Sequence, residues 1–262
     1  MLRLAETAED RAAACRLRFR VFNIELGEGL ESSYQTGLDT DRFDHCCEHL
    51  LVEDKQEVSP SRRIVGTYRM QSGATAAGNH GYYSEQEFDF APYEALRPGI
   101  LELGRACIDR EHRTPEVLTL LWRGIAQYAC DMGLRYLVGC SSINSQNPVE
   151  GWRVYGQLEH YRVSPEFETA PTEAFACPIE QEGADTQQAS SIENPSSSET
   201  PAQPEAPCKV PRLLKTYLTI GARVAAPPAW DREFGTIDFL TLLDLKQVSQ
   251  SARNRFLAPL TQ

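Results

Sequence analysis

The sequence lacks any run of the roughly 20 apolar residues that a membrane-spanning helix needs. Its amino-terminal MLRLAETAEDRAAACRLRF carries charges where a signal peptide has its apolar segment, so the expected location is the cytoplasm. Its eight cysteines form no C-x-x-C pair, and several stand in apolar runs where cysteine serves as a small hydrophobe; they are expected to be reduced. Among them, His45-Cys46-Cys47-Glu48-His49 offers metal-ligand types, with His45 and His49 on one face if the segment is helical. It runs directly into the strand-like Leu50-Leu51-Val52, so inward packing is the expected use and no metal is assigned. Dense basic runs interleaved with aromatics are missing too, which excludes nucleic acid as a partner.

Between Val163 and Pro207 there is no Lys or Arg, and nine acidic residues fall there. Removing those nine from the formal charge of -11 leaves -2 for the rest, which is nearly neutral and free to carry local basic patches. Thr169 to Pro207 is rich in Pro, Ser, Gln, Glu and Ala and cannot bury enough apolar surface to order itself. It is expected to be a disordered acidic insertion. From Lys209 to Leu245 apolar patterning returns in a segment too short to fold alone. Residues 1–168 and 208–262 are therefore expected to build one domain, with 169–207 inserted into it.

Before the insertion, strands and helices alternate. Thr7 can cap a helix to about Phe22 with Ala14, Leu17 and Val21 on one face. His49–Glu53 and Ile64–Met70 read as a hairpin, and Ser84-Glu85-Gln86-Glu87 fits a capping box. Ile100–Ile108 reads as a strand, followed by a helix capped at Thr114, opened by Pro115 and stopped at Gly133, then by a buried strand from Arg135 to Cys140. Strand, helix, strand is a βαβ unit, so the fold class is α/β with a mixed central sheet. A further strand is expected within Gly235–Leu243.

Two features carry chemistry. Glu102 and Arg105 stand among apolar residues of one strand; a lone buried charge is costly, so they either face a cleft or pair with each other. Arg110, His112, Arg113 and Thr114 sit at a helix start, where free N–H groups and the helix dipole suit a phosphate; a solvated polar turn is the alternative.

The motifs Leu17-Arg18-Phe19-Arg20-Val21-Phe22, Asp41-Arg42-Phe43-Asp44, Val65-Gly66-Thr67-Tyr68-Arg69 and Glu102-Leu103-Gly104-Arg105 resemble, in order, those of N-acyl-homoserine lactone synthases and their relatives in the GNAT superfamily. A closer resemblance is to ornithine N-acyltransferases, which share Tyr83-Ser84-Glu85-Gln86-Glu87-Phe88, the Leu121–Gly124 helix stretch and the tail Asp231-Arg232-Glu233-Phe234-Gly235-Thr236-Ile237-Asp238-Phe239. The resemblance spans nearly everything but the insertion. It implies a GNAT-type sheet, mixed and mostly antiparallel, flanked by helices. A central pair of strands splays to admit a pantetheine arm. It implies transfer of a 3-hydroxy fatty acyl group from acyl carrier protein to the α-amine of L-ornithine, giving lyso-ornithine lipid, with no cofactor beyond the carrier's phosphopantetheine. The helix start has no glycine-rich turn for a coenzyme A pyrophosphate, so Arg110, His112, Arg113 and Thr114 are assigned to the carrier's single phosphate and acidic surface.

Within that reading Glu102 is the base. Arg105 pairs with Glu102 or with the acceptor's carboxylate, and main-chain N–H groups of the strand hold the oxyanion. Asp41 and Asp44 are candidates for the acceptor's side-chain cation, with Arg69 or Arg20 for its carboxylate; a network fixing the loop from Gly27 to His45 is the alternative. Phe22, Tyr82 and Phe88 are candidates to line the acyl tunnel, core packing being the other reading. The rival functions are an N-acyl amino acid or homoserine-lactone synthase with another acceptor and an inert carrier-binding or lipid-sensing module. Contact with the inner face of a membrane stays open.

Overall fold

A computed structural model describes residues 1–179 and 210–257. Its sheet contains β1 (Leu2–Leu4), β2 (Glu48–Glu53), β3 (Ile64–Ser72), β4 (Ile100–Ile108), β5 (Tyr136–Ile143), β6 (Arg223–Val224), β7 (Ala229–Asp231) and β8 (Thr236–Asp244). The strand order is β1-β2-β3-β4-β5-β8-β6, with β7 also on β8. Among these pairs β4–β5 alone is parallel, and the rest are antiparallel. The mixed, mostly antiparallel sheet is the one the resemblance implies, and β2 with β3 makes the expected hairpin.

The parallel pair needs a crossover, supplied by the helix Pro115–Asp131. Thr114 accepts Val117 N–H and Pro115 opens the helix, as expected. Leu121, Trp122, Ile125 and Ala129 bury against Leu50, Tyr68, Leu101 and Leu137 to form the main core. Close approach to the sheet requires Gly124, since a Cβ there would lie 2.7 Å from the Leu2 side chain and 2.9 Å from that of Leu50. A second core, on Tyr82, Phe88, Phe90, Tyr93, Ile100 and Leu240, fills another region of the sheet. Tyr82 and Phe88 are fully buried there. They pack this core and are not among the residues lining the cleft or its adjoining groove.

Thr7 and Asp10 form a reciprocal capping box on the helix Ala8–Phe19. Ala14, Leu17 and Val21 pack on Leu51, Ile64 and Cys107, matching the predicted face. Beyond Phe19 the backbone widens through Arg20–Leu26 and stops at Gly27, whose φ is 67°. His45 closes a short 3-10 turn, Arg42–His45, while His49 lies in β2, so the two share no helix face. All seven cysteines among the described residues are free.

Two local expectations are corrected. The capping box at Ser84 is displaced: Glu85 returns its carboxylate to Tyr82 N–H, because Ser84 N–H is taken by Glu102. The first part of the expected insertion is ordered, since Asp89 N–H donates to Ala170, Thr172 N–H donates to Glu87, and Ala176 bridges Ala229. Backbone pairing there does what side-chain burial could not. The remainder of the insertion, from residue 180, lies outside the described residues.

Candidate active site

The cleft begins where β4 and β5 separate. They pair at Ile100–Tyr136, Leu101–Leu137 and Glu102–Val138 and no further. At the fork Gly139 presses on β4: a Cβ there would lie 2.2 Å from the Leu103 carbonyl oxygen. On its other edge β4 bulges, with the register to β3 slipping between Thr67–Cys107 and Arg69–Gly104. Arg105 sits in that bulge at φ 51°, the one non-glycine residue of positive φ among the described residues. A backbone strained this way persists only when its surroundings hold it. The result is a cavity of about 260 Å³ lined by Glu102, Gly104, Arg105, Ser141, Asp231 and Asp238, among others.

Glu102 is 4% exposed. Its two oxygens accept the N–H groups of Tyr83 and Ser84 at 2.8 and 2.7 Å. Burial pushes its carboxyl above the ordinary range, against the opposing pull of those N–H groups. The expected pairing with Arg105 does not form. Arg105 donates instead to Asp41 at 3.0 Å and stacks over the Phe234 ring at 4.1 Å, while its Nε has no hydrogen-bond partner.

The aspartates assigned to a substrate cation are already paired. Arg18, fully buried, donates to Asp39 at 2.8 Å and to Asp44 at 2.7 Å; Arg69 donates to Asp41 at 2.6 Å and to Asp44 at 3.2 Å. Three arginines, Arg18, Arg69 and Arg105, thus balance Asp39, Asp41 and Asp44. Asp41, against the cost of burial, is held low by Arg69 and Arg105, and Asp44, likewise buried, is held low by Arg18. This is the loop-fixing network. Arg69 also lines the cleft. Arg20 does not: it donates to the Ser61 carbonyl at 3.3 Å and lies 3.8 Å from Asp109. Arg18 and Asp39 were not singled out, although an arginine on the Ala14–Leu17–Val21 face was a visible signal.

At the other end of the cleft the acids have no arginine. Asp238 and Asp231 are 5% and 4% exposed, and with Glu28 they line the cavity. Behind Asp238 stands Glu87, 1% exposed, and one oxygen of each lies within 4.8 Å of the other and of Cys140 Sγ. Asp231 accepts the N–H groups of Glu233 and Phe234, and Asp238 accepts from Thr236. Among the described residues none of these four carboxyls has an ion-pair partner. Burial together with the Asp238 charge pushes Glu87 far up and Glu28 to about 7, and burial raises Asp238.

A groove of about 520 Å³ adjoins the cleft, lined by Phe22, Ala106, Thr114, Pro115, Arg212 and Arg255, among others. Of the cations expected at this helix start, Arg110 is exposed and without an acidic partner among the described residues. Arg113 is bound through both terminal nitrogens to Glu25, and His112 lies between Asp109 and Asp54. Thr114 Oγ1 is spent on the helix cap. Arg212 and Arg255, which come from distant parts of the chain, supply exposed guanidiniums on the opposite wall.

A sequence model described as an acetyltransferase (GNAT) domain matches residues 17–123. The L-ornithine N(alpha)-acyltransferase of Brucella abortus (strain 2308) is 32% identical over 255 residues, covering 95% of this chain and 85% of the relative. The protein of the same description from Agrobacterium fabrum (strain C58 / ATCC 33970) is 31% identical over 251 residues, covering 94% and 81%. In fold, the chain is similar to the crystal structure of the AHL synthase LasI, with a TM-score of 0.52 and 10% identity over 100% of this chain and 98% of that one.

Proposed function

This chain belongs to the L-ornithine N(alpha)-acyltransferase family, and from that premise we propose that its cleft moves a 3-hydroxy fatty acyl group from acyl carrier protein to the α-amine of L-ornithine, giving lyso-ornithine lipid. The observation that carries the chemistry is a buried carboxylate in the strand fork with no cation bonded to it, in a cleft that Arg105 also lines.

An α-amine is largely protonated at neutral pH and must lose that proton to attack. Glu102, oriented by two N–H groups and made more basic by burial, takes it directly or through one water. The neutral nitrogen adds to the thioester carbonyl, and main-chain N–H groups of β4 beyond the fork hold the oxyanion. Collapse breaks the C–S bond; the nitrogen, which carries two protons after addition, passes one to the departing thiolate and is left as the amide N–H. The proton held by Glu102 is then released to solvent. Arg105 and Arg69, whose side chains line the cleft, hold the acceptor's carboxylate.

The donor enters along the groove at the start of helix Pro115–Asp131. Arg212 and Arg255, which line the groove, and the exposed Arg110 at the helix start meet the carrier's phosphate and acidic surface, and Phe22 and Ala106 flank the pantetheine arm. No cofactor beyond that thioester is required by the chemistry. Among the described residues no helix is long and apolar enough to cross a membrane; a fatty-acyl product favours release at a membrane's inner face.

The test is incubation of the purified protein with 3-hydroxyacyl carrier protein or the matching coenzyme A ester, and with L-ornithine or S-adenosylmethionine, followed by mass spectrometry. Acyl-ornithine formed preferentially from the carrier protein is expected. An acyl-homoserine lactone as the product, or the absence of acyl-ornithine, overturns the reading.

A further inference from the structure

Buried charge is tolerated when it is paired, and this molecule treats its two buried acidic groups differently. Asp39, Asp41 and Asp44 are matched by three guanidiniums. Asp231, Asp238, Glu87 and Glu28 are matched by none among the described residues, though three of them line the cleft that also holds Glu102. The excess negative charge therefore faces the space where an acceptor lies.

A second observation is independent of the charge count. Glu87 is 1% exposed, it stands against Asp238 and Cys140, and its Oε1 has no hydrogen-bond partner among the described residues. Cys140 Sγ donates to its other oxygen at 3.4 Å. With Asp238 as its neighbour, the pair needs a shared proton, a cationic donor, or both between the cleft and the two carboxyls.

We infer that the Asp231–Asp238 end of the cleft, backed by Glu87 and flanked by Glu28, receives the side-chain ammonium of a diamino acid and thereby selects ornithine over neutral amino acids of equal length. This inference rests on the reading of the acceptor as ornithine. The cleft then orders the substrate's three charged groups: carboxylate on Arg105 and Arg69, α-amine at Glu102, and side-chain ammonium at Asp238. Ser84 stands between the last two, with its N–H on Glu102 and its hydroxyl 3.5 Å from Cys140 Sγ. Both ends therefore border the same turn residue, which fits an acceptor with a short side chain. Like-charged carboxyls in contact share a proton; Glu87 holds it and Asp238 presents the charge.

The experiment compares L-ornithine with L-norvaline, which has the same carbon skeleton without the side-chain amine. Turnover is followed with 3-hydroxyacyl carrier protein, and binding by equilibrium dialysis without donor. The wild-type protein is expected to prefer ornithine by at least roughly 30-fold in both, since leaving the acids unmatched forfeits charge-assisted bonds. Asp238→Asn, which keeps shape, is expected to raise KM for ornithine by that factor, leave norvaline unchanged and bring the preference near unity. Glu87→Gln is expected to reproduce a smaller part of the same shift.

If Asp238→Asn weakens ornithine and norvaline equally, or moves neither, the inference is wrong while acyl-ornithine formation stands. If the protein makes no acyl-ornithine yet binds ornithine over norvaline through Asp238, the proposed reaction fails and the site stands. Activity lost on dialysis against a chelator, restored by a divalent metal in the wild-type protein but not in Cys140→Ala, assigns Glu87, Cys140 and Asp238 to a metal and overturns the inference.

Discussion

Ser84 donates its backbone N–H to the Glu102 carboxylate at 2.7 Å, tying the short turn Tyr83–Gln86 to the strand that carries the proposed base. Tyr83 N–H holds the other oxygen, so the carboxylate is aimed by main chain and not by a counter-charge. Such a group is oriented and still basic, because burial raises it while the N–H groups pull the other way.

Replacing Glu102 with Gln preserves the shape, keeps one of the two N–H contacts at its remaining oxygen, and removes the proposed base. We expect kcat to fall by about 10²–10⁴-fold with the carrier still bound. In the wild-type protein kcat/KM rises with pH through a carboxyl above the ordinary value of 4.5, and this limb disappears in Glu102→Gln. Steady-state rates against pH for both proteins check it; an unchanged acidic limb in the variant removes Glu102 from the role.

Arg105→Lys keeps a positive charge and loses the planar fork that serves Asp41 and faces Asp39 while lining the cleft. KM for the acceptor is expected to rise by about tenfold or more, with a smaller change in kcat. Steady-state kinetics with the acceptor varied measures the split.

Arg18 has no accessible surface, and Arg18→Met strands Asp39 and Asp44 in the interior. The expected loss of stability is about 3–5 kcal/mol. Arg20→Ala, two residues away and half-buried at the edge, is expected to change stability by less than about 0.5 kcal/mol. Urea denaturation of the two variants decides whether the network or the exposed motif arginine holds the loop.

A methyl group at Gly139 would meet the Leu103 carbonyl at 2.2 Å, and neither strand can yield without widening the fork. Gly139→Ala is expected to cost about 1–3 kcal/mol and to lower turnover more than carrier binding. Equal losses in both would place the effect in general unfolding.

Glu28 has its carboxyl pushed up to about 7 from an ordinary 4.5, by burial and then by the charge of Asp238. The folded state therefore keeps a proton that the unfolded chain has already lost. Stability is unaffected below pH 4.5, declines as pH rises through the window to 7, and stays lower above it. Because the group is only partly enclosed, the decline is expected to be about 1 kcal/mol, and Glu28→Gln should abolish it. Denaturation midpoints at the two ends of that window measure the difference.

Periodicity and capping residues were enough to read much of this molecule from its sequence. Thr7, Thr114 and Pro115 mark helix starts through local hydrogen bonds, and the alternation around Leu50 and Tyr68 marks a hairpin, because such signals span a few residues. Glu102 was legible for a related reason: a carboxylate in an apolar strand is costly enough to need an explanation. Asp41 and Asp44 were legible as residues but not in their use. Their partners Arg18, Arg69 and Arg105 come from a helix and two strands, and only the closed sheet decides which charges meet.

The acidic end of the cleft is the sharper case. Glu87 lies in a turn, Cys140 in β5 and Asp238 in β8, separated by up to 151 residues of chain. Each is unremarkable in its own segment. Composition and local pattern by themselves determined the strand–helix–strand unit, the place of Glu102 and the cation-rich start of helix Pro115–Asp131. Tertiary structure alone decided that one buried acidic group is neutralised by arginines and the other has no cation among the described residues, since pairing depends on distances that strand order sets and local sequence does not.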